Sequence, residues 1–117
     1  MKKVEKPWGH EIIWANSKRI AGKVLFIKKG HRLSLQYHEK KEEAIYVMQG
    51  TLTLTTADAK SGEQVVTTLN VGESHHVYPG DVHRFEAKES DVTLVEVSTP
   101  ELCDVIRIED DYKREKN

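Results

Sequence analysis

Four side chains of this sequence carry nitrogen or oxygen donors at spacings that could bring them together. Gln36 and His38 are two residues apart, so they point to the same face if they lie on one β-strand. Glu43 follows a short charged turn and can face His38 across a hairpin, and His83 opens a later strand-like run. Two imidazole nitrogens, a carboxylate and an amide oxygen suit a divalent first-row transition metal. The set therefore predicts one metal site with open positions for a ligand, and Zn, Mn, Fe, Co and Ni are all compatible with it.

The elements that must position these residues are β-strands. Short runs rich in Val, Ile, Thr, Tyr and Phe recur every eight to twelve residues and are divided by turn formers or charged clusters, a rhythm typical of a barrel or sandwich. No segment has a helical period over eleven residues. The predicted strands are Glu11–Ala15, Lys23–Ile27, Leu33–Tyr37, Ala44–Met48, Thr51–Thr56, Gln64–Leu69, Ser74–Tyr78, His83–Ala87, Thr93–Ser98 and Asp104–Ile108.

Length and composition predict one globular domain over residues 1–117. The chain is 38% hydrophobic and 32% charged, and it is long enough to bury a core without disulfides or a structural metal. Cys103 is the single cysteine, so it cannot form a disulfide within the chain. We expect Cys103 to be a small buried hydrophobe.

The charge balance argues against nucleic acid and membranes as partners. The formal net charge is −1, so no overall basic field attracts polyanions. The longest apolar stretch, Ala44–Met48, is far shorter than the roughly 20 residues of a membrane helix, and the N-terminus has no apolar segment of a secretory signal. We therefore expect a cytoplasmic protein. Phosphate-binding loops of the GxxxxGK[ST] and GxGxxG types are absent, so nucleotide chemistry is not expected.

The candidate ligands lie within a pattern that resembles the first motif of the cupins, Gly-x5-His-x-His-x3–4-Glu-x6-Gly. Gly30, His38, Glu43 and Gly50 fit it at every spacing, and Gln36 stands in place of the first histidine. The second cupin motif is Gly-x5-Pro-x-Gly-x2-His-x3-Asn. Its matching positions are Gly72, Gly80 and His83, with Tyr78 at the proline position and Ala87 at the asparagine position. The resemblance implies an all-β double-stranded β-helix, also called a jelly-roll barrel.

The flanks add a closer resemblance, to the isomerase domain of type II mannose-6-phosphate isomerases. It is carried by Lys6-Pro-Trp-Gly9, by the run from Arg32 to His38, by His83-Arg-Phe-Glu86 and by the run from Val105 to Tyr112. In the wider phosphomannose isomerase group a Gln-x-His pair, a Glu and a later His bind the metal, so Gln36 agrees with the resemblance. The guanylyltransferase portion often fused to this domain has no counterpart in the sequence, and we expect no such reaction.

The resemblance implies an aldose–ketose isomerase that acts on a sugar phosphate through a metal-stabilised enediol, and it implies a homodimer. The type II pattern has an important arginine between the metal His and Glu, where this chain has Lys41. Lysine supplies a point charge rather than a bidentate fork. Lys23 and Arg84 match further basic positions of the family and are candidate substrate contacts. Arg32, at the mouth end of the same predicted strand as Gln36, is another.

Other functions remain open at this point. A two-histidine, one-carboxylate set also suits nonhaem Fe(II), so a cupin dioxygenase is one alternative. A second is a non-catalytic barrel that binds a small sugar molecule, since Lys41 departs from the family arginine. A third is a barrel whose polar core residues hold no metal and only bond one another.

Overall fold

Twelve antiparallel β-strands form two sheets that pack face to face. The computed structural model describes residues 1–114, and the last three residues of the predicted domain lie outside the described residues. The strands are β1 (Lys2–Lys6), β2 (Gly9–Asn16), β3 (Ala21–Ile27), β4 (His31–Arg32), β5 (Leu35–Tyr37), β6 (Glu43–Gln49), β7 (Leu52–Ala57), β8 (Gln64–Leu69), β9 (Ser74–Val77), β10 (Val82–Ala87), β11 (Val92–Ser98) and β12 (Ile106–Glu109). None of the described residues forms a helix, and so none forms a helix that could cross a membrane.

Sheet A has the strand order β1-β2-β3-β11-β6-β9, and sheet B has the order β12-β5-β10-β7-β8, with β4 also paired to β10. Some neighbours in each sheet come from distant parts of the sequence, β3 with β11 in sheet A and β5 with β10 in sheet B, as in a jelly roll with crossing connections. The all-β jelly-roll prediction is confirmed. The barrel arrangement brings the ends of β5, β6 and β10 together, although these strands are far apart in the sequence.

The core lies between the two sheets and follows the alternation of each strand. On β11, Val92 and Leu94 point inward and are fully buried, whereas Thr93 between them lies on the outer face. Ile27 on β3 and Val47 on β6 are likewise fully buried beside them. Burying each such side chain contributes about 1.5–3 kcal/mol relative to exposure, which is what holds the sheets together.

Nine of the ten predicted strands are present, with ends that shift by at most two residues. The tenth, Leu33–Tyr37, is interrupted: Leu33 and Ser34 lie between β4 and β5. The sequence pattern also missed β1, because its KKVEK segment has more charge than the strand signal tolerates. It forms nonetheless, since each of its residues pairs with β2.

The prediction that Cys103 is buried is wrong. Cys103 is exposed and lies in the turn between β11 and β12, outside both sheets. Strand alternation decides burial only for residues that belong to a sheet, so it gave no information at this position.

Candidate metal centre

The four predicted ligands lie at one end of the barrel, on three segments that the fold brings together. Gln36 is on β5, His38 follows that strand directly, Glu43 is the first residue of β6, and His83 is on β10. In the antiparallel pairing of β5 with β10, Gln36 is directly opposite His83. Opposite residues on one face of a sheet have Cβ atoms about 5 Å apart, so the two side chains are neighbours.

Three of these residues form a compact buried cluster. One candidate ligand atom from each of His38, Glu43 and His83 lies within 4.8 Å of the others, and the three residues are at most 3% exposed. His38 Nε2 is 2.8 Å from Glu43 Oε1, and His83 Nε2 is 3.6 Å from the same oxygen. The second distance is too long for a hydrogen bond. Among residues 1–114, His38, Glu43 and His83 form the only group of three or more His, Cys, Asp or Glu side chains whose ligand atoms lie this close together.

Two atoms of this cluster have no hydrogen-bond partner among the described residues: Glu43 Oε2 and His83 Nε2. A buried polar atom left without a partner costs about 1–3 kcal/mol, so such atoms are rare in stable folds. Both are lone-pair donors of the kind that bind divalent metals. The residues present therefore fit a metal ion, which would satisfy both atoms at once.

The imidazole rings of His38 and His83 are fixed in orientation by hydrogen bonds from their Nδ1 atoms. His38 Nδ1 donates to the carbonyl of Asp104, and His83 Nδ1 donates to the carbonyl of Asp81 at 2.9 Å. Because a carbonyl can only accept, both rings carry hydrogen on Nδ1 and turn Nε2 towards Glu43. Such support is usual for metal-binding histidines, since it fixes the tautomer and the ring orientation.

The amide of Gln36 has a comparable support. The hydroxyl of Ser34 donates to Gln36 Oε1 at 2.7 Å, and Ser34 is fully buried. Ser34 precedes Gln36 by two residues, so strand alternation would put both side chains on one face, and they meet there even though the strand is interrupted.

Asp104 ties the loop between β5 and β6 to the segment that follows β11. Its carboxylate accepts the backbone N–H groups of Glu39, Lys40 and Lys41 at 3.1, 2.7 and 2.9 Å. Burial favours the protonated form, but these three donors outweigh it and lower the pKa of Asp104 below its ordinary value. One residue therefore positions both His38, through its carbonyl, and the loop that carries Lys41.

A cavity of about 80 Å³ opens beside the cluster. The predicted residues Gln36, His38, Lys41, Glu43 and Lys23 all line it. The walls also include Lys6, Trp8, Glu11, Leu25, Leu33, Phe85, Glu96, Leu102, Asp104, Val105, Arg107 and Arg114. A volume of this size holds an ion and a small part of a ligand, so a larger ligand would extend through the mouth.

Two ion pairs line the cavity on the inner face of sheet A. Lys23 Nζ is 3.2 Å from Glu11 Oε1, and Lys41 Nζ is 3.2 Å from Glu96 Oε2. All four side chains are at most 10% exposed. Buried charges are kept in a fold only when they are paired, which both lysines are here.

The two buried carboxyl groups at this site, those of Glu43 and Glu96, have pKa values shifted in opposite directions. Burial disfavours ionisation of Glu43, but the imidazoles of His38 and His83 and the charge of Lys41 hold its pKa well below its ordinary value. Burial and the neighbouring Glu43 charge raise the pKa of Glu96, whereas the charges of Lys41 and Lys23 oppose this rise and favour the ionised form. Glu43 is therefore a carboxylate at neutral pH, as a metal ligand must be.

Arg32 and Arg84 lie elsewhere, so the structure does not bring these two predicted substrate contacts to the cavity. Arg84 follows His83 on β10 and points to the opposite face, where its side chain donates to the carbonyls of Leu33 and Glu109. Arg32 makes a bidentate pair with Asp111 at 2.7 and 2.9 Å near the surface. Strand alternation decides the side for Arg84. Arg32 instead pairs with Glu86, which faces away from His83, because the interruption at Leu33 and Ser34 breaks the alternation between Arg32 and Gln36.

Sequence reasoning missed Glu11 and Glu96 as members of this site. A signal for Glu96 was present, because it lies two residues after Leu94 on a strand whose inward positions are otherwise apolar. A charged residue at an inward position of a predicted strand indicates either a buried pair or a functional site. The basic residues Arg107 and Arg114 at the mouth had no comparable signal, since each follows only from how the C-terminal segment folds back.

Comparisons with known proteins agree with this geometry. Residues 1–113 match the family model described as mannose-6-phosphate isomerase C-terminal. A mannose-1-phosphate guanylyltransferase of Sinorhizobium fredii is 29% identical over 114 residues, which are 94% of this chain and 21% of that protein. The chain thus spans about a fifth of the length of this curated relative.

Solved structures with the same fold are more distant in sequence. The capsular polysaccharide assembling protein CapF of Staphylococcus aureus superposes with a TM-score of 0.80 at 16% identity, over 92% of this chain and 34% of that one. The oxalate decarboxylase of Bacillus subtilis, a protein with Mn(II) centres, gives 0.77 at 18% identity over 92% and 30%. At these identities the likeness establishes the cupin fold alone.

Proposed function

Since this chain belongs to the mannose-6-phosphate isomerase C-terminal family of cupins, we propose that it binds one divalent transition metal at Gln36, His38, Glu43 and His83 and isomerises a sugar phosphate there. The observation that carries the metal half of the proposal is the pair of orphaned atoms, Glu43 Oε2 and His83 Nε2, in a buried cluster. The sugar-phosphate half is supported by family membership.

When bound, the metal would polarise the carbonyl and hydroxyl oxygens of the sugar and stabilise the negative charge of an enediolate. The chain's own residues supply the surroundings. Lys41 and Lys23 bring positive charge to the cavity, and each is held in place by a carboxyl group. Trp8, Leu33 and Phe85 form apolar walls, which limit water and strengthen the electrostatic interactions within.

The charge of Lys41 is secured by its neighbours. Burial alone would lower the pKa of this lysine, but Glu96 and Glu43 raise it above its ordinary value. Lys41 therefore stays protonated at neutral pH and can attract an anionic ligand. A second candidate is a barrel that binds the sugar phosphate without turnover. It is favoured by Lys41 itself, which stands where the family has an arginine and supplies a point charge rather than a bidentate fork.

The first experiment measures metals in untagged protein purified without chelator, as moles of each transition metal per chain. We expect close to one metal per chain, and a matched loss in the variants His38→Ala and His83→Ala. The control is His31→Ala, a histidine on β4 outside the cluster. Absence of metal after reloading with Zn, Mn, Fe, Co and Ni in turn would refute the metal site.

The second experiment assays conversion of mannose 6-phosphate to fructose 6-phosphate by the metal-loaded protein. Turnover that His83→Ala abolishes and His31→Ala preserves supports the isomerase. Thermal stabilisation by the sugar phosphate without turnover supports the binding barrel, since a ligand that binds only the native state raises its stability. Oxygen uptake that requires Fe(II) supports the dioxygenase alternative and refutes the isomerase.

A further inference from the structure

The cavity beside the metal cluster has a second group of basic side chains, at its mouth. Five lysine and arginine side chains of residues 1–114 line this cavity, and two of them, Lys23 and Lys41, belong to the ion pairs of its inner wall. The other three are Lys6, Arg107 and Arg114. None of these three has a part in the proposed metal binding.

Strand register places Arg107 in one row with two of the proposed metal ligands. Arg107 is opposite Gln36 in the pairing of β12 with β5, and Gln36 is opposite His83 in the pairing of β5 with β10. Neighbouring strands are about 4.8 Å apart, so the backbones of Arg107 and His83 are about 10 Å apart. The row therefore runs across sheet B from the metal cluster to the mouth of the cavity.

A bulge in β12 separates Arg107 from the next charged residue of that strand. The register against β5 shifts between Arg107 and Glu109, so β12 has an extra residue at this point. Two residues this far apart on an unbroken strand would face the same side. Here Arg107 lines the cavity, whereas the carboxylate of Glu109 is 3.4 Å from Arg84 Nη1 on the outer face of sheet B. Arg107 thus faces inward without a glutamate beside it on β12.

The surroundings of Arg107 favour a bound anion. Burial and the nearby charge of Arg114 lower the pKa of Arg107 below its ordinary value, and the carboxylate of Asp110 offsets only part of this effect. Asp110 also accepts two hydrogen bonds from Arg114, at 2.8 and 3.0 Å. An anion beside Arg107 would relieve the repulsion between the two guanidinium groups. The planar fork of an arginine suits phosphate in particular, since it can donate two parallel hydrogen bonds.

Lys6 lines the same cavity from the other sheet. It is the last residue of β1 in sheet A, is half-buried, and precedes the turn that contains the buried Trp8. Within residues 1–114 no carboxylate forms an ion pair with its ammonium group. Its charge is therefore available to a ligand that enters between the two sheets.

We propose that Arg107 and Lys6 bind the phosphate group of the ligand at the mouth, while the sugar extends inward to the metal cluster. The inner lysines suit a phosphate less well, because Glu11 and Glu96 already balance their charges at 3.2 Å. The cavity of about 80 Å³ is also too small to hold a metal ion, the sugar carbons and the phosphate together. This role of Arg107 rests on the proposed function, and it makes Arg107 the residue that selects a phosphorylated sugar over a neutral one.

The first test titrates inorganic phosphate into the full chain by calorimetry, as purified and again after chelation, so that it depends on neither metal nor turnover. We expect Arg107→Gln to weaken phosphate binding about tenfold or more, and Lys6→Gln about threefold. Arg107→Lys keeps the charge without the fork, so its affinity should lie between those of the parent and Arg107→Gln. The control Arg19→Gln makes the same change at an exposed arginine between β2 and β3 and should leave the affinity unaltered.

The second test compares the affinities of the full chain for mannose 6-phosphate and for mannose. The parent should prefer the phosphorylated sugar, and Arg107→Gln should lose most of that preference while its metal content stays the same. Circular dichroism checks the fold of each variant, and Arg107→Lys with Lys6→Gln decides the matter if Arg107→Gln does not fold.

Three results would overturn the proposal. The first is a parent that binds no phosphate, and the second is equal affinity in the parent and the variants of Arg107 and Lys6. The third is a loss of phosphate binding that occurs in the double variant Lys23→Met with Glu11→Gln but not in Arg107→Gln, which would assign the phosphate to the inner wall. The proposed function fails in a different way, by absence of metal or turnover in a chain whose phosphate binding still depends on Arg107.

Discussion

The inner face of sheet A has two halves with opposite chemistry on the same strands. Towards one end, Ile27, Val92, Leu94 and Val47 are fully buried hydrocarbons, which we call the apolar half. Towards the other end lie Glu11, Lys23, Glu43 and Glu96 of the same strands, with Lys41 of the loop before β6 beside them; we call these five residues the ionic half. Leu94 and Glu96 are two residues apart on β11 and point the same way. The same strand thus accommodates a hydrocarbon and a carboxyl group at successive inward positions. The strand geometry therefore does not cause the difference between the two halves.

The apolar half supplies stability, and the ionic half does not. Buried ion pairs gain Coulomb energy but lose hydration, and replacing them by well-packed hydrocarbons is often neutral or stabilising. Stability therefore does not explain the two buried pairs beside the histidine cluster, and a role in binding a ligand does. The halves should therefore respond differently to substitution.

The largest effect is expected in the apolar half. Leu94→Ala leaves a cavity where a fully buried side chain was, and it should lower the free energy of unfolding by about 2–5 kcal/mol. Urea unfolding of metal-free protein measures this change. Metal bound per folded chain should be unaltered. The control Val65→Ala, on the exposed strand β8, should change stability by less than about 0.5 kcal/mol.

Substitution of His83, which lies beside Glu43 of the ionic half, should have the opposite effect: a large loss of metal affinity and a smaller loss of stability. His83→Ala removes one of the orphaned donors and should weaken metal binding more than 100-fold, about 2.7 kcal/mol or more. The free energy of unfolding of the metal-free protein should fall by less than in Leu94→Ala. Competition titration with a chelator gives the affinity. Equal affinities for the variant and the parent would contradict the assignment of His83.

A smaller effect is expected from the support of Gln36. Ser34→Ala removes the hydroxyl that holds Gln36 Oε1, and losses of this kind weaken metal binding about 10–100-fold. In a chain that already carries Gln36→Ala, the same substitution should have no further effect, because it acts through the amide. Additive losses in the double variant would show that Ser34 acts only on packing.

The smallest effect concerns charge at the mouth of the ionic half. Arg114 donates to Asp110 at 2.8 and 3.0 Å and lowers the pKa of Asp110 to about 2. A carboxyl whose folded pKa is depressed stabilises the fold above its unfolded pKa, near 4, and loses that contribution as pH falls towards 2. Asp110→Asn should therefore lower the melting temperature at pH 6 and have little effect at pH 2. The change is expected to be below about 1 kcal/mol, since the Arg114 side chain is 23% exposed and solvent screens the pair.

The sequence predicted the strands and the proximity of Gln36, His38 and Glu43 because both follow from local spacing, whereas the place of His83 was suggested by the second cupin motif. Alternation reveals which face a residue occupies, and Gln36 with His38 needs only that rule. The ion pairs could not be predicted in the same way, since Lys23 meets Glu11 and Lys41 meets Glu96 across strands whose order is set by the whole fold. Arg32 illustrates a related limit, because the break between β4 and β5 turns it away from the cavity, whereas alternation from the adjacent His83 would already have placed Arg84 on the opposite face.

The contact between His38 and Asp104 has a consequence for how the molecule assembles. These residues are 66 positions apart, and the strands between them must fold before they can meet. Contacts of such long sequence separation form late, because loop closure must be complete before they contribute. The cluster of His38, Glu43 and His83 is therefore completed late in folding, and uptake of the proposed metal by a refolding chain should report the last step. A chain cut before residue 104 would retain every candidate ligand and lack the group that orients His38.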